Sequence, residues 1–165
     1  MSEAWNIRPA KDADWQGIWN IFRDVISHGD TYTYAPDFTQ EEAKNIWVNN
    51  DCHGYVVTHG DAIVGTFTIR TNKPGFGSHI ANAGYMVDKA HRGQGIAQAM
   101  CSYSLKEAKK LGYDAMQFNF VVASNTPAVK LWQKMGFKIV GTVPKAFRHS
   151  KLGMTDVHIM HRFLE

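Results

Sequence analysis

The apolar positions along this chain change their period several times, and each change marks an element. Trp5–Pro9 reads as a short strand. Asp12 or Asp14 can cap a helix in which Trp15, Ile18, Trp19, Phe22, Val25 and Ile26 share one stripe, with Gly29 as its stop. Thr39 and Glu42 have capping-box spacing and open a second helix with Ala43, Ile46 and Trp47 on its apolar side. Tyr55–Thr58 and Ala62–Arg70 predict a hairpin around His59-Gly60-Asp61. Thr71–Ser78, with Pro74, Gly75 and Gly77, predicts a loop, and His79–Val87 a strand. A long helix follows from about Gln94 to Leu111 and stops at Gly112. Ala115–Val122 is rich in aromatic and β-branched residues and reads as a buried strand. Thr126-Pro127 supplies a cap and a proline at the first helical position, and that helix ends by Gly136. Lys138–Val143 and Thr155–Phe163 complete the set as strands. The order βααβββαβαββ predicts a mixed α/β fold around one central sheet.

The 165 residues suit a single domain over 1–165 with one core. Hydrophobic residues make up 44% and charged residues 20%, which excludes a disordered tail or a collagen-like fibre. No apolar run approaches the ~20 residues a membrane span needs. Met1-Ser2-Glu3-Ala4-Trp5 lacks the basic flank and apolar stretch of a signal peptide. Cys52 and Cys101 form no pair motif and read as reduced thiols, so a cytoplasmic location is expected. The net charge of +3 is uneven: Met86–Lys151 carries +8 and the rest −5. A basic C-terminal half suits an anionic partner such as a nucleotide or a nucleic acid, although a solvated basic face gives the same count.

The stretch most charged with chemistry is Met86-Val87-Asp88-Lys89-Ala90-His91-Arg92-Gly93-Gln94-Gly95-Ile96-Ala97. A strand ends there, a basic glycine-rich turn follows, and an amphipathic helix begins. Such a turn presents unpaired backbone N–H groups and the positive end of a helix dipole, which suit a pyrophosphate. Gly93 and Gly95 let the backbone approach a ligand without a Cβ in the way. It is not a P-loop, because no Gly-Lys-Ser/Thr closes it, and its glycines do not fit Gly-x-Gly-x-x-Gly.

Arg92-x-x-Gly95-x-Ala97 resembles the acyl-CoA pyrophosphate motif of the GCN5-related N-acetyltransferase (GNAT) superfamily. Asn125, Ala128 and Gly136-Phe137 resemble the next segment of that family; Trp5-Asn-Ile-Arg-Pro9 and Ile63-Val64-Gly65 resemble its earlier ones. The likeness covers nearly the whole chain. It implies a mixed sheet of about six to seven strands, splayed between the fourth and fifth, with about four helices flanking it. It implies acetyl-CoA as cosubstrate, its pantetheine arm on Met86 and Val87 and its pyrophosphate on the amides of Arg92, Gly93, Gln94, Gly95, Ile96 and Ala97. Asn125 would meet the arm, and Lys130 or Lys134 the phosphates.

Within that superfamily, Asn82-Ala83-Gly84-Tyr85-Met86-Val87, Phe118-Asn119-Phe120-Val121 and Val143-Pro144-Lys145-Ala146 are similar to fungal acetyltransferases that detoxify azetidine-2-carboxylate, a proline analogue. By that likeness Asn82 and Asn119 bind the substrate and position its amine. A more distant likeness is to phosphinothricin and methionine sulfoximine acetyltransferases, whose substrate loop falls on His28–Phe38 here. In that loop Thr33 and Tyr34 are candidates to bond a carboxylate, Tyr32 shares their chemistry, and Asp30 or Asp37 could attract an amine; loop packing explains the tyrosines equally well.

Two departures stand out. Trp132 falls where many relatives carry a Tyr that protonates the leaving thiolate, and an indole N–H is too weak an acid for that. Tyr103 and Ser124 are possible substitutes. The loss is tolerable, because a thiol of pKa ~8.5 already leaves well. His79–Val87 also lacks the Asp or Glu that many relatives use as base. A water held by Asn82 and Asn119 is then the expected proton route, with a main-chain N–H of the fourth strand polarising the thioester carbonyl.

Eight histidines raise a metal hypothesis, but no Cys or carboxylate cluster completes a ligand set, and no metal is expected. Phe118 and Phe120 lack the RNA-recognition signature, so no nucleic-acid partner is expected, and no membrane. The function expected is direct acetyl transfer from acetyl-CoA to a small amine, an amino acid or toxic analogue. The alternatives are a protein or peptide N-acetyltransferase, which needs an open groove, and a non-catalytic acyl-CoA sensor. The edge of strand Thr155–Phe163 could serve a homodimer.

Overall fold

A computed structural model describes residues 5–49 and 51–165. The order βααβββαβαββ holds: β1 Asn6–Pro9, α1 Trp15–Ser27, α2 Gln40–Trp47, β2 Cys52–His59, β3 Ala62–Thr71, β4 Ile80–Val87, α3 Ile96–Lys110, β5 Ala115–Val122, α4 Thr126–Lys134, β6 Lys138–His149 and β7 Gly153–Phe163. The strands form one sheet in the order β1-β2-β3-β4-β5-β7-β6. All neighbours are antiparallel except β4 and β5, which run parallel. The Thr39 capping box forms as its spacing predicts, the hydroxyl accepting from Glu42 N–H and the Glu42 carboxylate accepting from Thr39 N–H at 2.7 Å.

Two layers of side chains cover the sheet. On one face the stripe of α1 and the Trp47 end of α2 pack on Val56 and Met86. Trp47 anchors α2 by donating its indole N–H to the buried Thr66 hydroxyl at 2.9 Å. On the other face α3 and α4 bury Met100, Cys101, Ala108 and Trp132 against Phe67, Ala81, Met116 and Phe118. Alternation along β4 therefore sends Ala81, Ala83 and Tyr85 to the α3 face, and Asn82, Gly84 and Met86 to the α1–α2 face.

The termini of several elements differ from the expectation. The long helix starts at Ile96, not Gln94, because Gly95 sits at φ +89° and turns the chain into it. β2 begins at Cys52 rather than Tyr55. β6 runs on to His149, past the expected end at Val143. Pro144 cannot donate to a ladder, and the chain accommodates it with a bulge: Val143 pairs with Val157 and Phe147 with Thr155, with Pro144, Lys145 and Ala146 bulged between. Lys145 takes φ +52° there, and Asp156 accepts its N–H at 3.0 Å. The expectation that Thr155–Phe163 forms a free edge is overturned. β7 is flanked by β5 and β6, and the border strand is β6.

Candidate functional site

The parallel strands β4 and β5 pair only at their beginnings, Ile80 with Ala115 and Ala81 with Met116. Beyond that point they part, which leaves the facing backbone edges of Met86 and Val87 on one side and the second half of β5 on the other without a neighbouring strand. Met86 and Val87 still pair with Thr66 and Gly65 on their β3 side. The expected cofactor strand therefore has one bonded edge and one open edge.

The glycine-rich turn lies at the wide end of this cleft. The first backbone bond of α3 runs from Ala99 N–H to Gly95 C=O, so the amides of Ile96, Ala97 and Gln98 have no helical partner. Gly93 and Gly95 take φ +76° and +89°, and a Cβ on either would meet no protein atom within 4 Å. Open space above a turn of left-handed glycines and free amides is a cradle for a pyrophosphate. Arg92 and Lys89 flank it, and both lean towards Asp24 of α1, at 3.8 and 3.7 Å. Asn125 occupies the cap position of α4 but makes no side-chain cap bond, so its amide is available to the cleft. Lys130 is exposed on α4, while Lys134 bonds Gln98 of the first turn of α3 at 3.2 Å. These residues fit acetyl-CoA, whose pyrophosphate would lie on the turn and whose arm would lie along β4.

The α1–α2 face of the same cleft is lined with amides. Asn82 and Asn119 both lie on that face, and no hydrogen bond joins them among the described residues. Asn119 instead donates to Asn72 Oδ1 at 2.7 Å and accepts from Gln117 at 2.9 Å. A bulge in β5 falls at Asn119-Phe120, since Phe118 pairs with Met160 and Val121 with His158. Bulges re-aim side chains, and this one carries the candidate substrate Asn. Asn72 and Gln117 escape a reading of the sequence, because their roles depend on long-range register.

Tyr32 is the second residue the sequence understates. Its hydroxyl donates to Tyr85 C=O at 2.9 Å and accepts from Tyr85 N–H at 3.0 Å. It thus sits on the open edge of β4, bonded to a main-chain N–H of the kind expected to polarise a thioester. The approach requires a glycine: a Cβ on Gly84 would come within 3.3 Å of both Tyr32 Oη and Trp47. Burial pushes the Tyr32 phenol well above its ordinary range, so it remains a neutral donor. Tyr34 stacks on Phe22, Tyr32 and Phe38, and Thr33 is exposed.

The tip of the β6–β7 hairpin closes over this loop. Ser150 donates its N–H to Gly29 C=O at 2.9 Å and its hydroxyl to His28 C=O at 2.7 Å. Gly29, at φ +60°, has room for no more, as a Cβ would come within 3.1 Å of Ser150. The hairpin tip thus joins the end of α1.

The candidate acids fare differently. Trp132 is buried against Tyr85, Phe118 and Phe137 and serves packing. Tyr103 is taken up by ring contacts with Tyr55 and Phe67. Ser124, at the exit of β5, has a buried hydroxyl oxygen with no hydrogen-bond partner among the described residues. Burial pushes the Cys101 thiol up to about 12, which leaves it no nucleophile at neutral pH, and the Cys52 Sγ lies 3.1 Å from the Trp47 carbonyl oxygen. Among the described residues no group of three or more His, Cys, Asp or Glu could hold a metal, and no helix is long and apolar enough to cross a membrane.

The parted strands and the amide cradle are the architecture of an acyl-CoA transferase fold. The chain belongs to the acetyltransferase (GNAT) family, whose profile matches residues 15–137. A GCN5-related N-acetyltransferase from Kribbella flavida has the same fold with a TM-score of 0.94 and 42% identity, over 99% of this chain and 100% of that one. N-acetyltransferase aca1 of Schizosaccharomyces pombe is 34% identical over 59% of this chain and 47% of its own length. L-amino acid N-acetyltransferase AaaT of Escherichia coli is 32% identical over 61% of both chains. The chain thus spans about half the length of aca1 and under two thirds of AaaT.

Proposed function

We propose that this chain transfers an acetyl group from acetyl-CoA directly to the amine of a small molecule, an amino acid or a toxic analogue of one such as azetidine-2-carboxylate. The observation that carries the small-acceptor reading is the Ser150 clamp on His28 and Gly29. It joins the two walls between which an extended peptide would otherwise pass, and so disfavours the protein-modifying alternative. The matched identity of an L-amino acid acetyltransferase points the same way.

Acetyl-CoA supplies an activated acyl group. The chain supplies position and charge. The turn from Arg92 to Ala97 holds the phosphates, Lys130 or Lys134 adds charge, and Asn125 meets the arm. A main-chain N–H on the open edge of β4 hydrogen-bonds the carbonyl oxygen as negative charge builds there. Asn82 and Asn119 orient the acceptor amine and a water that takes its proton. An amine of pKa ~10.4 is only about one part in a thousand neutral at pH 7.4, so that proton route is needed. The nitrogen bonds the acyl carbon, the carbon–sulfur bond breaks, and the thiolate takes up a proton; the Ser124 hydroxyl is the remaining candidate relay.

The test is CoA release from acetyl-CoA, followed by chromatography, against azetidine-2-carboxylate, proline, phosphinothricin, methionine sulfoximine, a polyamine and a short peptide. Turnover with a small amino acid or analogue is expected. Turnover with the peptide alone would overturn the small-acceptor reading, and saturable acetyl-CoA binding without turnover would leave a sensor. The proposal includes a cytoplasmic location and a homodimer formed along the β6 border, where Val140 and Val143 are exposed.

A further inference from the structure

Resting on that placement of the acceptor, we propose that Arg70 is the carboxylate anchor of the acceptor pocket, so that the acceptor is an α-amino or α-imino acid with a free carboxylate. Arg70 stands directly opposite Asn82 in the β3–β4 ladder. Directly opposed residues share a face with their Cβ atoms about 4.5–5.5 Å apart. The guanidinium therefore starts beside the Asn expected to hold the amine, on the α1–α2 side of the sheet.

Its partners leave most of its donors open. One described hydrogen bond, Nη2 to Ile46 C=O at 2.6 Å, ties it to the end of α2. Among the described residues it makes no ion pair within 4 Å. A guanidinium has five N–H donors in a planar fork that matches a carboxylate. Arg70 also lines a cavity of about 390 Å³ with Asn49, Asp51, Thr71, Pro74 and Ser78, so the fork has open space beside it. Its charge reaches the acceptor loop, where it works against the rise that burial imposes on the Tyr32 and Tyr34 phenols.

A second, independent observation marks this face as incomplete. Thr68 lies two positions before Arg70 on the same side of β3 and is 1% exposed, yet its buried hydroxyl oxygen has no hydrogen-bond partner among the described residues. The amides of this face, Asn82 opposite Arg70 and the bonded set Asn72, Gln117 and Asn119, are neutral, and the Asp51 carboxylate that shares the Arg70 cavity makes no ion pair with it within 4 Å. A fixed cation with no ion pair within 4 Å among the described residues, with neutral amides and an unsatisfied hydroxyl on its face of the sheet, favours a ligand that brings a negative charge and hydrogen-bonding oxygens.

The test compares each acid with its carboxamide, which removes the charge and little else. The full chain, saturated with CoA so that no chemistry occurs, is titrated calorimetrically with azetidine-2-carboxylate and azetidine-2-carboxamide. L-Proline and L-methionine sulfoximine are run with their amides. At least one acid should bind about 30–100-fold more tightly than its amide, the range of a charge-assisted bond. Arg70→Gln should bring the pair within about threefold by weakening the acid alone, and Arg70→Lys should retain part of the preference. Thermal denaturation confirms that both variants fold.

Equal affinity for acid and amide, no binding by any acid, or equal weakening of both by Arg70→Gln would overturn the anchor. Parallel turnover with acetyl-CoA separates the two readings. Selective binding without acetyl transfer leaves the anchor standing and removes the transferase. Transfer without discrimination between acid and amide does the reverse.

Discussion

The proposed cofactor side and the proposed acceptor side of the cleft are built in opposite ways. The cofactor side is one contiguous run, Met86 to Ala97, and it works through backbone: an open strand edge, two left-handed glycines and free helix amides. The acceptor side gathers side chains from Tyr32, Arg70, Asn72, Asn82, Gln117, Asn119 and Ser150, which lie on five separate segments. A backbone site is specified by local conformation, so a short motif suffices to announce it. A side-chain site is specified by register and by long-range closure. The first can stay fixed while the second changes its ligand.

That contrast can be broken by substitutions confined to one side. The largest effect is expected at Gly95. Gly95→Val forces a β-branched residue to φ +89° and fills the open cradle, and acetyl-CoA KM should rise about 300-fold, with acceptor preference unchanged. Steady-state kinetics with varied acetyl-CoA would show it; an equal shift in acceptor KM would join the two sides. Next is Asn82→Ala, for which kcat/KM on the best acceptor should fall about 100-fold while acetyl-CoA binding holds within a few-fold. Full retention of kcat/KM would remove the amide-held water from the mechanism.

Tyr32→Phe sharpens the comparison from the structural side. It strips both bonds from the Tyr85 backbone and should destabilise the fold by about 2 kcal/mol, roughly 5 °C in Tm. The smallest effect belongs to a residue of neither side. Asp14 receives two bonds from Arg8 at 2.7 and 2.9 Å and one from Lys11 N–H, and the Arg8 guanidinium holds its carboxyl below the usual range. A lowered native pKa stabilises the fold in full above the unfolded value of about 3.9, and that stabilisation is lost as pH falls through the native value. Asp14→Asn should cost about 1–2 kcal/mol at pH 7 and flatten the acid limb of Tm against pH, with neither KM altered.

These differences also explain what could be read in advance. Helix α2 could be drawn from Thr39 and Glu42 because its cap is closed by residues three apart. The pyrophosphate turn could be drawn because glycines and cations cluster within it. Asn82 and Asn119 could be proposed by likeness, but the bulge that turns Asn119 is a property of how β5 pairs with β7. Arg70 looked like the last residue of a hairpin strand; its place beside Asn82 appears only when β3 and β4 are in register. The length of β6 was hidden by Pro144, which reads as a breaker until a bulge absorbs it. The Ser150 clamp spans 122 positions and has no local signal at all.

A sheet that opens in its middle creates raw strand edges at its centre, where most sheets have them only at the border. Such edges invite pairing with foreign chains. Here one phenol lies across the β4 edge and satisfies both groups of Tyr85, as a neighbouring strand would. The segment between α1 and α2 is thereby fastened at the midline of the sheet. Its length on either side of Tyr32 is held to what that reach allows, so insertions that most surface loops absorb should here disturb the centre of the protein and favour its self-association.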